Sequence, residues 1–507
     1  MSQAESKTAA DPGEVEKRHV YDGQGTEEDP FVVEFQKDDP GNPMNWSSFR
    51  RKWFITAIAT ATFSVFAVTF TSSAYSVSAN EVFQDLDIST EVFIVGLSLF
   101  VLGFAIGPAV WGPLSELYGR RILWVTTHIA MVAFLGGSAG SQNIATLLIL
   151  RFFAGTFGGS PLVNSGGTIA DLFPPAQRGL ALTIYCVAPF LGPILGPVVG
   201  GLVSENVGWR WVQGVCVIFI GVVGILGVIF IPETYGPVLL QKRARQLSKT
   251  DGKVYVSVLE KSQGKKKPVE VFKRALFRPW VFLFMEPIVL VASLYMAIIY
   301  GTVYMFMGAM PIVYNEDRGW SEGIGGLAFM GIAVGIILGL VYAIWDNNSR
   351  YMKLFVSKTV TAESRLPPAI VGALALPHPL VRQHHPVRAL GFGCVLVILP
   401  MMNYLIDSYT IYAASVLAAA AIFRSVVGAV FPLFTTQMYH NLGIHWASCV
   451  PAFMTLACMP FPLIIYRYGA ALRMKCKYAF EAAEMMRKMQ MQQAPVAAKK
   501  EEDFPSE

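Results

Sequence analysis

Two charged side chains stand out because apolar sequence surrounds them. Arg151 opens the stretch Arg151-Phe152-Phe153-Ala154-Gly155-Thr156, about a turn and a half into a long apolar run. Glu286 sits about seven residues into another and is followed by Pro287. A charge in hydrocarbon is costly and needs a cavity or a partner. A carboxyl held in apolar surroundings can exchange a proton near neutral pH. These residue types therefore point to proton coupling and to neutralising an opposite charge. The bland alternatives are an arginine reaching the outer interface and a glutamate capping backbone broken by proline. Arg424 is the matching base in the second half, while Asn164 and Tyr300 are candidates for a cavity wall, with plain packing as the ordinary reading of each. Asp407 reads as a partner of basic loops or as an ordinary interfacial acid.

Covalent chemistry finds no support. There is no phosphate loop, metal-ligand spacing or nucleophile elbow. The cysteines (Cys186, Cys216, Cys394, Cys449, Cys458 and Cys476) form no CxxC pair and read as small hydrophobes. Enzyme, cofactor, metal and nucleic-acid readings fall away, and the partners expected are a small-molecule substrate, protons and the lipid bilayer, for a monomer.

The elements that must position these residues are membrane spans. Of 507 residues, 53% are hydrophobic and 15% charged, too few charges to cover a soluble surface of this size. Apolar runs near 54–76, 92–113, 122–140, 147–170, 180–203 and 211–231 give six spans, and runs near 279–307, 323–345, 389–406, 411–436 and 446–466 give five more. Basic loops alternate with acidic or uncharged ones, which places the N-terminus inside. The reading divides into a disordered cytoplasmic tail (1–52), a first bundle (53–232), a basic cytoplasmic loop (233–278), a second bundle (279–467) and a cytoplasmic C-tail (468–507).

The ninth span is damaged. Near 366–388 the apolar part is about ten residues, too short for roughly 30 Å of hydrocarbon, and Arg382 and Arg388 follow it. If the segment does not cross, the basic C-tail ends outside; if it does, the arginines lie outside. Both break the charge rule, and a faulty gene model is one explanation.

Three further stretches carry spacing. Gly112-Pro113-Leu114-Ser115-Glu116-Leu117-Tyr118-Gly119-Arg120-Arg121 offers a glycine for close helix contact, a glycine for a tight turn and two inside-facing bases, with a plain turn as the alternative. Asp171 and Arg178 bracket the fourth loop, a place for a cytoplasmic gate. Between Ala188 and Gly201 the spacing of Gly192, Gly196 and Gly200, with Pro197 and Gly201, predicts a bent, closely packed span that seals the bundles at the outer face.

These stretches resemble the major facilitator superfamily: Gly112 to Arg121 its loop 2–3 signature, with Glu116 where Asp is usual, Arg151 to Gly155 its span 4 signature, and Gly192 to Gly201 its antiporter signature. Asn42-Pro43-Met44-Asn45-Trp46, Trp209-Arg210-Trp211, Pro232-Glu233-Thr234-Tyr235, Glu286-Pro287 and the run from Asn403 to Phe434 resemble fungal twelve-span drug:proton antiporters, polyamine and multidrug exporters above all. The resemblance covers about 38–376 and 389–480. It implies an all-α membrane protein of two pseudo-symmetric six-helix bundles, here with eleven clear spans. It further implies proton-coupled efflux of a drug, polyamine or secreted toxin across the plasma membrane, or else the vacuolar membrane. Arg151 and Glu286 would couple, and Gly112, Arg120, Arg121, Asp171 and Arg178 would form the inner gate. The alternative is a transport-deficient sensor that kept the fold.

Overall fold

The computed structural model describes residues 21–36, 39, 41–45, 48–172, 175–264, 268–357, 359–377 and 387–485. In chain order the elements are β1 (Phe31–Val33), α1 (Ser48–Ala74), α2 (Ala79–Leu86), α3 (Thr90–Tyr118), α4 (Arg120–Ala139), α5 (Ile144–Leu172), α6 (Pro175–Val207) and α7 (Trp209–Phe230). The loop between the halves holds α8 (Gly236–Asp251), β2 (Tyr255–Ser257) and α9 (Val258–Gln263), and α10 (Pro268–Met285) leads into the second half. There follow α11 (Pro287–Met310), α12 (Glu322–Leu327), α13 (Met330–Asp346), α14 (Met352–Val356), α15 (Pro367–Ala375), α16 (Val387–Tyr409), α17 (Ala413–Cys458) and α18 (Pro460–Lys475). Helices dominate because a bilayer leaves no water for backbone groups, so each span must satisfy its own. Among the described residues, eight helical stretches are long and apolar enough to cross a membrane, the last running 88 residues from Arg388 to Lys475. Within that stretch α17 consists of two helices joined end to end, since Gly443 breaks it at φ 73°, a left-handed value that suits glycine.

Proline recurs inside these helices: Pro108 and Pro113 in α3, Pro161 in α5, and Pro189, Pro193 and Pro197 in α6. Glycine sets which helices approach. A Cβ on Gly155 would run into Phe100 O, one on Gly107 would lie 2.6 Å from Thr156 O, and Gly159 faces Gly107 in turn, so α3 and α5 meet backbone to backbone. Gly112 is different. A Cβ there would meet only a Val163 methyl at 3.7 Å, ordinary contact, so the close approach falls one to three turns earlier than its signature suggested.

The short ninth segment keeps the chain's direction. Helix α15 has nine residues, about 14 Å at ~1.5 Å each. Arg365, just before it, pairs with Asp407 near the end of α16 at 3.0 Å, and Gly372 packs on Gly393, so α15 and α16 are antiparallel. Gly335 lies on the Arg388 backbone and Gly339 on the Phe392 backbone, so α13 and α16 run parallel. The reversal a full span would make is therefore made by a short one. Arg473 consequently pairs with Glu363 at 2.6 Å, putting the basic C-terminal helix on the side of the Arg350 to Arg365 loop, as positive-inside requires. Arg382 lies outside the described residues.

The N-terminal tail is not wholly without structure. β1 pairs in parallel with β2 of the central loop, Phe31 packs its ring on Tyr255 at 5.1 Å, and Asp39 pairs with Arg243 at 2.6 Å. The expectation of a disordered tail thus gives way for residues 21–36, because their aromatic and β-branched side chains find a partner about 220 positions away. Residues 1–20 lie outside the described set.

Gly155→Val should lower the melting temperature in detergent sharply, by an overpacking cost of about 3 kcal/mol or more, whereas Gly112→Ala should leave it unchanged. Equal effects would mean α3 and α5 are not in backbone contact.

Candidate functional site

Arg151 is completely buried in α5. Its Nε donates to Gly96 O of α3 at 2.9 Å and its Nη2 reaches Ser72 O of α1 at 3.5 Å. The guanidinium lies over the Tyr75 ring at 4.0 Å and the Phe100 ring at 5.1 Å, two faces that attract a cation. It therefore neither snorkels to the interface nor meets an acid. Carbonyl oxygens and π-faces take the place of a counter-ion, and Nη1 has no hydrogen-bond partner.

From this knot a polar path crosses to the second half. Ser72 Oγ and Tyr304 Oη are 2.8 Å apart, Tyr300 donates to Tyr304 at 3.4 Å, and Arg424 of α17 lies over the Tyr300 ring at 5.0 Å. Helix α11 packs along α17, and α17 along α3, so these groups sit where the halves meet. Asn164, also buried, takes a separate position: its amide donates to Ser160 Oγ at 2.9 Å one turn back on α5, and Oδ1 has no partner.

Glu286 does not join this path. It is the N-cap of α11, with Pro287 at the first helical position. Its carboxylate accepts from Tyr409 Oη at 2.7 Å and from the Tyr478 backbone N–H at 2.9 Å. Fourteen positions of α11 separate it from Tyr300, about 21 Å at ~1.5 Å per residue. It lies at the end of α11 that meets the C-terminal segment, buried beside Tyr478.

At the same end of the first bundle, Arg120 Nε donates to Asp171 Oδ2 at 2.9 Å and Nη1 to Ser115 Oγ at 3.1 Å. Gly167 leaves room for that guanidinium. Glu233 was not singled out from the sequence as a functional residue, yet it organises this corner. Its oxygens accept the N–H groups of Arg120 (3.0 Å) and Arg121 (3.3 Å), the first turn of α4, and those of Thr234 and Tyr235. A carboxylate at a helix N-terminus meets unpaired donors and the positive end of the dipole. Gly119, at φ 102°, makes the turn that admits it. Arg121 Nη2 donates to Val228 O at 3.1 Å, and Glu116 is exposed beside the knot. The sequence signal was Pro232-Glu233-Thr234-Tyr235, a short polar break after an apolar span. The side chain of Arg178 lies outside the described residues.

The glycine–proline span divides its work. Gly192, Gly196 and Gly200 face α1, where Cβ atoms would lie 2.8 Å from Phe66 O, 2.6 Å from Phe70 O and 2.5 Å from Ala74 O. These three pack within the first bundle. Gly201 instead meets Glu322 O of α12, and Gly326 meets Pro197 O, each with room for no Cβ. Glu205 accepts the Gly323 N–H at 2.9 Å, and Asn80 donates to Glu322 at 3.0 Å. The two bundles are thus closed at the outer end through Pro197, Gly201 and α12. Nearby, Asp85 accepts from Trp209 Nε1 at 3.0 Å and pairs with Arg210, whose guanidinium holds the Asp85 carboxyl below its usual range.

The model of the Major Facilitator Superfamily matches residues 53–432. The chain belongs to the Major Facilitator Superfamily. Membership makes it a multi-pass membrane transporter and not an enzyme. It is 80% identical over 521 aligned residues to Major facilitator-type transporter sorT of Penicillium rubens, covering 99% of each chain. It is 54% identical to the MFS-type efflux pump MFS2 of Trichophyton rubrum, over 95% of this chain and 84% of that one. It is 51% identical to the multidrug transporter mdrA of Aspergillus fumigatus, over 96% and 82%. A solved structure of the proton:xylose symporter XylE superposes with a TM-score of 0.56 at 16% identity, over 82% of this chain and 96% of that one, which shows the shared fold.

Glu233→Ala should destabilise the protein by about 1–2 kcal/mol through loss of the α4 cap, read as an earlier thermal transition, with Glu233→Gln milder. The Asp85 carboxyl is depressed in the folded state, so its contribution is present above the unfolded carboxylate range and lost as pH falls through the folded value. Asp85→Asn should therefore cost well under 1 kcal/mol at neutral pH, as half-exposed pairs do, and nothing in strong acid.

Proposed function

We propose that the protein is a proton-coupled antiporter that exports small organic compounds across the plasma membrane. The observation that carries this reading is the path from Arg151 through Ser72, Tyr304 and Tyr300 to Arg424, buried where the halves meet and closed at the outer end by Gly201 and Gly326. A polar site between two bundles, shut on one side, is what alternating access by rocking requires. Relatives named as efflux pumps and a multidrug transporter support the outward direction.

Glu286 carries the proton in this reading, and Arg151 holds the substrate side. Protonating Glu286 would remove one of the two acceptors that pin Tyr409 and the Tyr478 backbone, loosening the cytoplasmic ends of α11, α16 and the C-terminal tail. A gate at the cytoplasmic end would then open as a proton is taken up there. The knot of Arg120, Asp171 and Glu233 would act as the pivot of the first bundle, since its members hold α3, α4, α5 and the exit of α7 together.

In liposomes with an imposed pH gradient, Glu286→Gln should leave substrate exchange intact and abolish the response to the gradient. Arg151→Ala should reduce export about tenfold or more and raise substrate accumulation in cells. Normal export by Arg151→Ala with wild-type insertion would remove Arg151 from the mechanism.

A further inference from the structure

The charge inside the bundles is one-sided. The helices that meet at the bridge are α1, α3, α5, α6, α11 and α17. Their sequences place Asp or Glu only near the ends of α3, α5 and α6: Glu91, Glu116, Asp171 and Glu205, the last engaged by the Gly323 N–H. Asp171 is already engaged by Arg120. Between those ends lie two arginines, Arg151 and Arg424. Each has a guanidinium nitrogen without a hydrogen-bond partner, Nη1 of Arg151 and Nε of Arg424, although both atoms are buried. Unpaired donors on a buried cation cost free energy until an acceptor arrives.

Resting on the export reading, we propose that the cargo is a planar organic acid, carried as its anion between Arg424 and Arg151. A guanidinium is a planar fork of donors that matches a carboxylate, or the two oxygens of an ionised enol, in a way an ammonium does not. The side chains beside the two arginines suit the rest of such a molecule. Tyr300 and Tyr304 stand between the arginines, Phe190 meets the Tyr300 ring at 6.2 Å, and Tyr75 and Phe100 flank Arg151. Flat aromatic faces bury an apolar ring, while the tyrosine hydroxyls and the arginines take its oxygens. A polyamine would meet the reverse: two fixed cations, no carboxylate, and a like-charge cost with nothing to offset it. An anion leaving a cytoplasm held electrically negative is also driven outward by the membrane potential.

The test compares two dyes that share one tricyclic skeleton and differ in charge, anionic fluorescein and cationic rhodamine 123, with spermidine as a third probe. Each is loaded into inside-out vesicles bearing wild type, Arg424→Gln, Arg424→Lys or Tyr300→Phe at matched protein levels. The expected result is preferential transport of fluorescein by wild type. Arg424→Gln should shift the fluorescein to rhodamine 123 ratio about tenfold towards the cation, and Arg424→Lys should recover part of it. Preferential transport of rhodamine 123 or spermidine by wild type overturns the anion assignment and leaves the exporter standing. An unchanged ratio in Arg424→Gln, or equal loss of both dyes in all three variants, overturns it too. Transport of none of the probes by wild type overturns the export reading and this one together.

Discussion

An arginine buried in a bilayer must find its hydrogen-bond partners in the protein, because lipid tails offer none. Arg151 finds them in the backbone carbonyls of two neighbouring helices, which forces α1, α3 and α5 to within reach of one guanidinium. That distance is open only because α3 and α5 carry glycine where they touch, at Gly103, Gly107, Gly155 and Gly159. Packing and charge therefore depend on each other. Bulk at Gly155 would push Gly96 O away from the arginine, and losing the arginine would leave carbonyl and aromatic groups arranged around nothing.

The second half is tied to this knot through one hydroxyl, that of Ser72, against Tyr304. The remaining contacts between the bundles divide by depth. Backbone contacts of α6 with α12 close one end, whereas the opposite end holds separate knots, Arg120–Asp171–Glu233 in the first bundle and Arg350–Asp346, Arg365–Asp407 and Arg473–Glu363 in the second. Each bundle is thus braced by its own ion pairs and meets the other through the packing of α3 on α17 and of α6 on α12 and α13. Ion pairs confined within a bundle let it turn as a rigid body.

The charge alternation of the loops, the two arginines within apolar runs and the glycine spacing were all legible in the chain, since apolar length and charge pattern can be read from sequence directly. Other features were not. The parity of the ninth segment could not be read, because direction is set by which backbones lie side by side, Gly335 on Arg388 and Gly372 on Gly393. Gly112 looked like a packing glycine, but its neighbour on α5 is a Val163 methyl at 3.7 Å, which leaves room for a Cβ. Glu286 left two readings open, a carboxyl for proton exchange and a cap on backbone broken by proline, and only the structure shows it as the cap at a helix end before Pro287. The glycines of α6 share a stripe, yet three serve one bundle and Gly201 serves the joint between bundles, a division that depends on helix rotation.

The sequence by itself determined that this is a helical membrane protein whose basic loops alternate with acidic or uncharged ones, with two arginines that hydrocarbon would reject, because transfer free energy depends on residue type and run length. Only the tertiary structure decided what compensates those arginines. Carbonyls and aromatic faces from α1, α3 and α11, with the Tyr75 ring, surround them in place of acids, and that arrangement exists only once distant segments are brought within about 3–5 Å of one another.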